Sequence, residues 1–508
     1  MLDIEGNKLM IRKLVIPIAI ALTFSAFTLW LIDSWIKYPL FLFETLVIIT
    51  LYCLITGNYE LRITFRLVSR LKLNQGLIID ATLISTSIIL LALGYSSPDR
   101  ELILAFLALL CTSLLPGYAL LNISGLVRYF TKLERLLLSY ILSYIYTGLL
   151  FFVFLPISES LRKIIMLSSY IILGILSAVK HLRNSQAFME GSFTRKIDIF
   201  AILLSTTFYT LSFYFIYPGV AFLPGTDISR HYAWSTTLSR TPDIYIGSTY
   251  LLAHLHEAAF ICFSNASLPV IQTTLVMLNI MLPIAFYVMA KAYLEKLDTR
   301  LPSLATLFWT LFTNSYGGFA WLYFLKLKIL SSEQTQLRLL IATADKTYNG
   351  TIYGIFGLWY VPATVSFVIL MTAVSLMSKK DIKEKEFLAI FSILIAALYL
   401  THVVEAMVLI LFFTTLALIL GNKCYRVDDT LKSSIIGMGM VSIIYYLLSQ
   451  ITPRFIMNAS LLVSLIVPIL IPTIVLISRQ YIHFDFSRIK NKFHKKSTGE
   501  VLVIVLFF

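Results

Sequence analysis

The sequence predicts an all-α, polytopic integral membrane protein with about 14 transmembrane helices and one long outer loop bearing interfacial helices. Three observations predict it. Of the 508 residues, 58% are hydrophobic and only 13% charged, whereas a soluble domain averages about 25% charged residues. Mean hydropathy is +0.84. The apolar residues fall in runs of about 20, the length a helix needs to cross the hydrocarbon core, separated by short basic connectors.

Taken in order, the spans are expected near 13–32, 38–57, 77–95, 102–122, 136–155, 164–180 and 198–217. Seven more are expected near 268–290, 302–324, 352–378, 386–401, 403–420, 433–449 and 456–478. The first is read as a span, not a signal peptide, because its apolar run is long and lacks a small-residue cleavage site. The chain divides into an N-terminal bundle over 1–197, a membrane core over 198–478 and a basic tail over 479–508. The last run, Val501–Phe508, reads either as the first turns of another span or as a hydrophobic terminus lying on the membrane.

The net charge of +14 sits in those connectors, where the bias of Lys and Arg toward the cytoplasmic side accounts for it. Nucleic acid is therefore not an expected partner; membrane lipids are. Arg62 to Lys72, Arg128 to Arg135, Lys180 to Lys196, Lys291 to Arg300, Lys379 to Lys385 and Lys423 to Lys432 all fall on one side if the N-terminus is cytoplasmic. The expected location is the cell membrane, with the 218–267 loop on the outer face. Cys53, Cys111, Cys262 and Cys424 are scattered and form no CxxC pair, which points to neither a disulfide framework nor a zinc site.

That outer loop holds the densest polar pattern. Asp227, Arg230, His231 and Trp234 stand at i, i+3, i+4 and i+7, and a helix puts these positions on one face. A second segment, about 247–264, carries His254, His256 and Glu257. His254 and Glu257 share a helical face and His256 points elsewhere, which is not the i, i+4 spacing of a helical zinc pair. No metal ligand set is assigned; a divalent ion would need Asp227 or Glu405 brought to the histidines from other segments. Both loop segments are too polar or short to span and are expected to lie at the interface. His402 and Glu405, again i, i+3, mark the turn between two short spans.

Carboxylate, guanidinium, imidazole and indole groups together suit group transfer from a lipid phosphate. A base must take the acceptor hydroxyl's proton, and cationic donors must receive the leaving phosphate. Each residue also has an ordinary structural reading. Thr226 or Asp227 is a normal helix N-cap, Trp and Tyr are common at membrane interfaces, and a His–Glu pair can close a helix turn. A further outer loop, roughly 326–350, holds Lys326, Lys328 and Arg338, and Asn314–Gly318 interrupts a span. Glu44 and Asp80 interrupt N-terminal spans, Asp80 being expected at the inner interface. Sequons at Asn265, Asn349 and Asn458 fall at outer positions.

The long outer loop, with its early acid in Gly225-Thr226-Asp227 followed by His231 and a second interfacial helix, resembles integral-membrane glycosyltransferases of the GT-C class over about residues 198–478. The resemblance implies transfer of a sugar from a polyprenyl-phosphate donor to a lipid, glycan or protein acceptor, with Asp227 as base or acceptor-orienting group. Arg230, His231, Trp234, His254, His256, Glu257, His402 and Glu405 would then contact substrate. The chain departs from the oligosaccharyltransferase pattern in having no Trp-Trp-Asp motif and several spans before the signature loop. The alternatives are a transporter or flippase of a lipid-linked or small anionic substrate and a non-catalytic assembly subunit. Leu115-Pro116-Gly117-Tyr118, followed by Glu134-Arg135 and by Ser139 and Ser143, resembles archaeal multi-pass membrane proteins of unassigned function. Physically, Pro116-Gly117 should kink or end a span, and Ser139 with Ser143 should permit close helix packing.

Overall fold

A computed structural model describes residues 75–93, 101–183, 195–216, 227–241, 250–312, 362–420, 426–451 and 459–481. Among these every regular element is helical. Seven stretches are long and apolar enough to cross a membrane: Gly76–Leu93, Glu101–Ser124, Lys132–Val153, Glu159–Arg183, Leu268–Leu294, Val427–Gln450 and Leu461–Ser478. The expected count of about fourteen is thus met only in part. The spans near 13–32 and 38–57 lie outside the described residues, as do most of 302–324 and the start of 352–378. The remaining expected spans are helices that are shorter, or that carry charge in the first turn as Glu384 and Glu386 do. Glu44, the 326–350 loop, Asn314–Gly318, Asn349, Asn458 and the tail beyond Tyr481 also fall outside the described residues.

The N-terminal body is built from α1 (Gln75–Leu93), α2 (Glu101–Ser113), α3 (Leu115–Ser124), α4 (Lys132–Val153) and α5 (Glu159–Arg183). Pro116-Gly117 does break the second span: α2 ends at Ser113 and α3 restarts one residue later. α3 ends at Gly125, whose φ of 75° is left-handed and returns its N–H to Asn122 O at 2.9 Å. α4 begins where Glu134 Oε2 accepts the Thr131 N–H at 2.7 Å, satisfying an amide the helix start would leave open.

α3 then lies directly against α4. A Cβ on Gly117 would stand 2.0 Å from Ser139 O and 2.6 Å from Ser143 N, and the Gly117 N–H donates to Ser143 Oγ at 2.7 Å. Small residues on both helices make this approach possible. α5 explains the apolar surroundings. It buries Met166, Leu167 and Tyr170, while Ile164, Ile172, Ile175 and Leu176 are exposed on its other side. A soluble helix would present polar residues there; an apolar outer face is what lipid solvates.

Asp80, expected at the inner interface, is completely buried among the helices, with Oδ2 3.6 Å from His181 Nε2 of α5. Leaving a carboxylate in an apolar interior without a counter-group is costly. Nearby, Asn122 Nδ2 donates to the carbonyl and hydroxyl of Ser177.

The rest of the described chain comprises α6 (Lys196–Ile216), α7 (Asp227–Arg240), α8 (Leu251–Ser264), α9 (Leu268–Val276), α10 (Met281–Leu294) and α11 (Leu301–Phe312). α12 (Pro362–Leu376), α13 (Glu384–Thr401), α14 (Val403–Leu420), α15 (Val427–Ile451) and α16 (Ala459–Tyr481) follow. α9 and α10 continue through a short 3₁₀ turn at Met277–Ile280 into one almost wholly buried element. Three of the basic connectors approach one another. There Lys379 Nζ lies 2.8 Å from Glu134, Arg128 lies 3.4 Å from Glu386, and Lys432 lies 3.6 Å from Glu384. At another part of the fold, Glu101 Oε2 accepts from Ser267 Oγ at 2.6 Å and from its N–H at 3.1 Å.

Candidate functional site: an imidazole and carboxylate centre around α8

α8 was expected at the membrane interface. An interfacial helix keeps one face in water, yet every residue of α8 from Leu251 to Ser264 is buried. It packs against α7, α4, α2 and α13. Its C-terminus is closed by Asn265 in the left-handed region, φ 44°, a conformation asparagine tolerates better than most residues. Asn265 itself is exposed.

Two contacts fix how α7 lies on α8. His231 Nδ1 is 2.9 Å from His254 Nε2, and Ser235 Oγ is 2.7 Å from Glu257 Oε2. Both pairs advance the same way along both helices, so α7 and α8 run parallel. One nitrogen of the His231–His254 contact must donate and the other accept. Ser235 Oγ also lies 3.0 Å from its own i−4 carbonyl, His231 O.

His256 points away from that pair, as its spacing predicts. Its Nε2 lies 3.1 Å from Ser113 Oγ, and its ring centroid is 4.7 Å from that of Tyr144. Tyr144 OH accepts a hydrogen bond from Thr401 Oγ1 at 3.3 Å, which brings the end of α13 to the same place. Tyr144 stands ten residues beyond Glu134 on α4, about 15 Å of helix rise. The polar centre therefore sits midway along α4, not at its tip.

At Thr401 the helix stops. His402 adopts extended geometry, φ −159° and ψ 114°, and α14 starts at the next residue. Glu405, in the first turn of α14, reaches back so that its Oε2 meets His402 Nδ1. Tyr250 joins this dyad to the first pair. Its ring centroid lies 5.3 Å from that of His402, 4.7 Å from His231 and 6.0 Å from His254. Trp234 closes the other side, with ring centroids 5.3 Å from His254 and 6.1 Å from His231.

Of the residues the spacing singled out, the structure gathers His231, Trp234, His254, Glu257, His402 and Glu405, with His256 one helical face away. Arg230 is exposed while His231 is buried, so the two do not share one surface of α7. Asp227 begins α7; its side chain lies outside the described residues. Sequence reasoning passed over Tyr250, four residues before His254, and Ser235, four residues after His231. Helical spacing was available to place both.

It also passed over Arg162 and Lys163. Arg162, 2% exposed, donates to the carbonyls of Phe154, Leu155, Ile157 and Ser239 at 2.9–3.3 Å. Its guanidinium carbon lies 4.6 Å from the centre of the Phe151 ring. Lys163 Nζ donates to Phe263 O at 3.1 Å, near the C-terminus of α8, where a cation complements the helix dipole. Together they fasten the C-terminal ends of α7 and α8 to the start of α5. No group of three or more His, Cys, Asp or Glu side chains among the described residues is arranged to hold a metal ion.

No family model matches the chain, and neither a curated protein nor a solved structure does.

Proposed function

We propose that the chain is a multi-pass membrane glycosyltransferase that moves a sugar from a polyprenyl-phosphate donor to a lipid, glycan or protein acceptor. In this reading the N-terminus is cytoplasmic and the loop 218–267 reaches the polar centre from the outer side. The observation that carries it is the convergence of a carboxylate–imidazole pair, His402 with Glu405, and a second imidazole pair, His231 with His254, on the aromatic ring of Tyr250. Imidazole and carboxylate supply proton acceptors at ordinary pH, and aromatic faces suit a sugar ring. Asp227, one turn before His231, orients the acceptor hydroxyl. Arg230, on the exposed surface of α7 and off the His231 face, meets only the departing phosphate, to which its planar fork is matched.

Purified protein in liposomes is expected to consume a polyprenyl-phosphate hexose in the presence of a lipid extract. Asp227→Asn should lower turnover at least about 100-fold while the protein still accumulates in the membrane. Full turnover in that variant would remove Asp227 from the reaction. A second reading, proton-coupled transport, is favoured by the placement of ionisable groups midway along α4, where such residues mark ion and proton paths in membrane proteins. Movement of intact donor across the bilayer without cleavage would select it.

A further inference from the structure

Resting on the transferase reading, we infer that His402 is the catalytic residue that takes the acceptor proton, with Glu405 as its positioning residue. Four histidines stand around the centre, and their surroundings differ. His254 and His256 are completely buried, and each has a ring nitrogen committed, His254 to His231 and His256 to Ser113. His231 is nearly as enclosed, 6% exposed, and shares the contact with His254. The His402 side chain is 19% exposed, while its Glu405 partner is 7% exposed. His181, the other imidazole beside a described carboxylate, is sealed among α1, α3 and α5 at 5% side-chain exposure.

The local fold accounts for the arrangement. A single extended residue between two helices projects the His402 ring from the α13–α14 turn instead of along either helix. Glu405 occupies the third position of α14, from which a glutamate ordinarily reaches back over the helix start; here it reaches the His402 ring. A carboxylate on Nδ1 holds the proton there and leaves the Nε2 lone pair available, the logic by which an acid orients an imidazole base. The groups facing His402 from the other elements are Tyr250 and, beyond it, His231 and His254.

The acceptor oxygen forms a bond to the anomeric carbon, and the bond from that carbon to the phosphate oxygen breaks. The electron pair leaves with the polyprenyl phosphate, and the hydroxyl proton passes to His402 Nε2.

The test uses the full-length protein in liposomes with a polyprenyl-phosphate hexose and the lipid extract. His402→Gln should lower kcat about 10²–10⁴-fold with little change in the donor KM. His402→Gly should regain part of its turnover when free imidazole is added, which a misfolded variant could not do. Glu405→Gln should lower kcat about tenfold or more at unchanged KM, and Glu405→Asp should recover part of the loss. An active wild-type protein whose His402→Gln variant keeps its kcat, or whose His402→Gly variant ignores imidazole, overturns the role of His402 and leaves the transferase reading standing. A wild-type protein that never consumes the donor overturns both.

Discussion

Replacing Gly117 by alanine is expected to separate α3 from α4 and to cause one of the largest stability losses available from a single methyl group. The added Cβ would meet backbone atoms, Ser139 O at 2.0 Å and Ser143 N at 2.6 Å, and backbone cannot rotate aside as a flexible side chain can. Relief requires the helices to move apart by roughly an ångström or more, which lengthens the 2.7 Å bond from Gly117 N to Ser143 Oγ and opens a gap along the seam. Overpacking alone costs about 1–3 kcal/mol, and a weakened buried hydrogen bond adds about 1 kcal/mol. Gly439 on α15 is the matched control, since a Cβ there meets nothing within 4 Å. Gly439→Ala should be neutral or slightly stabilising, because alanine is the better helix former by up to about 1 kcal/mol. Thermal unfolding in detergent, followed by size-exclusion fluorescence, distinguishes the two. Equal melting temperatures would contradict the close approach of α3 and α4.

Replacing Arg162 by methionine is expected to have an effect of similar size for a different reason. Methionine keeps much of the side-chain volume against Phe151 but leaves the carbonyls of Phe154, Leu155, Ile157 and Ser239 without their shared donor. Hydrogen bonds from a charged donor contribute about 1.5–3 kcal/mol each when removed singly, though losses within one network do not add. A total loss of about 3 kcal/mol or more is expected. Arg162→Lys should be intermediate, because one ammonium cannot span the carbonyls that a planar fork reaches. Ser239 belongs to α7, so this variant should also loosen α7, visible as faster protease cleavage near Arg240. A variant as stable and as protease-resistant as the parent would contradict the anchoring of α7.

The break at Pro116-Gly117 and the small surface at Ser139 and Ser143 were legible in the sequence because each depends on local chemistry; that the two meet was not. Pro116 lacks an amide, Gly117 lacks a side chain, and Ser139 and Ser143 are small and one turn apart. Each property acts wherever those residues sit. The burial of α8 was not legible. Its two histidines and glutamate count against burial on any hydropathy scale, and 14 residues are too few to span. What permits burial is partners elsewhere in the chain: His231 and Ser235 from α7, Ser113 from α2 and Tyr144 from α4. A composition reading sees the cost of each polar group and not its compensation.

The same holds for Asp80 and His181, a pair 101 residues apart in sequence. Arg162 and Lys163 were obscured in another way, since charges near a span end ordinarily read as solvated or lipid-facing. His402 and Glu405 could be recognised as a pair because their partnership is an i, i+3 contact. Their approach to His231 through Tyr250 is tertiary, and nothing in the spacing announced it.

The claim on which the functional account rests is that this buried centre opens to the outer side of the membrane at His402. The direct measurement places a cysteine at His402, in protein whose four native cysteines are replaced, and exposes sealed, right-side-out vesicles to a small, charged, impermeant thiol reagent. The account predicts labelling from outside, slowed when a polyprenyl-phosphate hexose is present. Labelling only from the cytoplasmic side, or only after the protein is denatured, would contradict it.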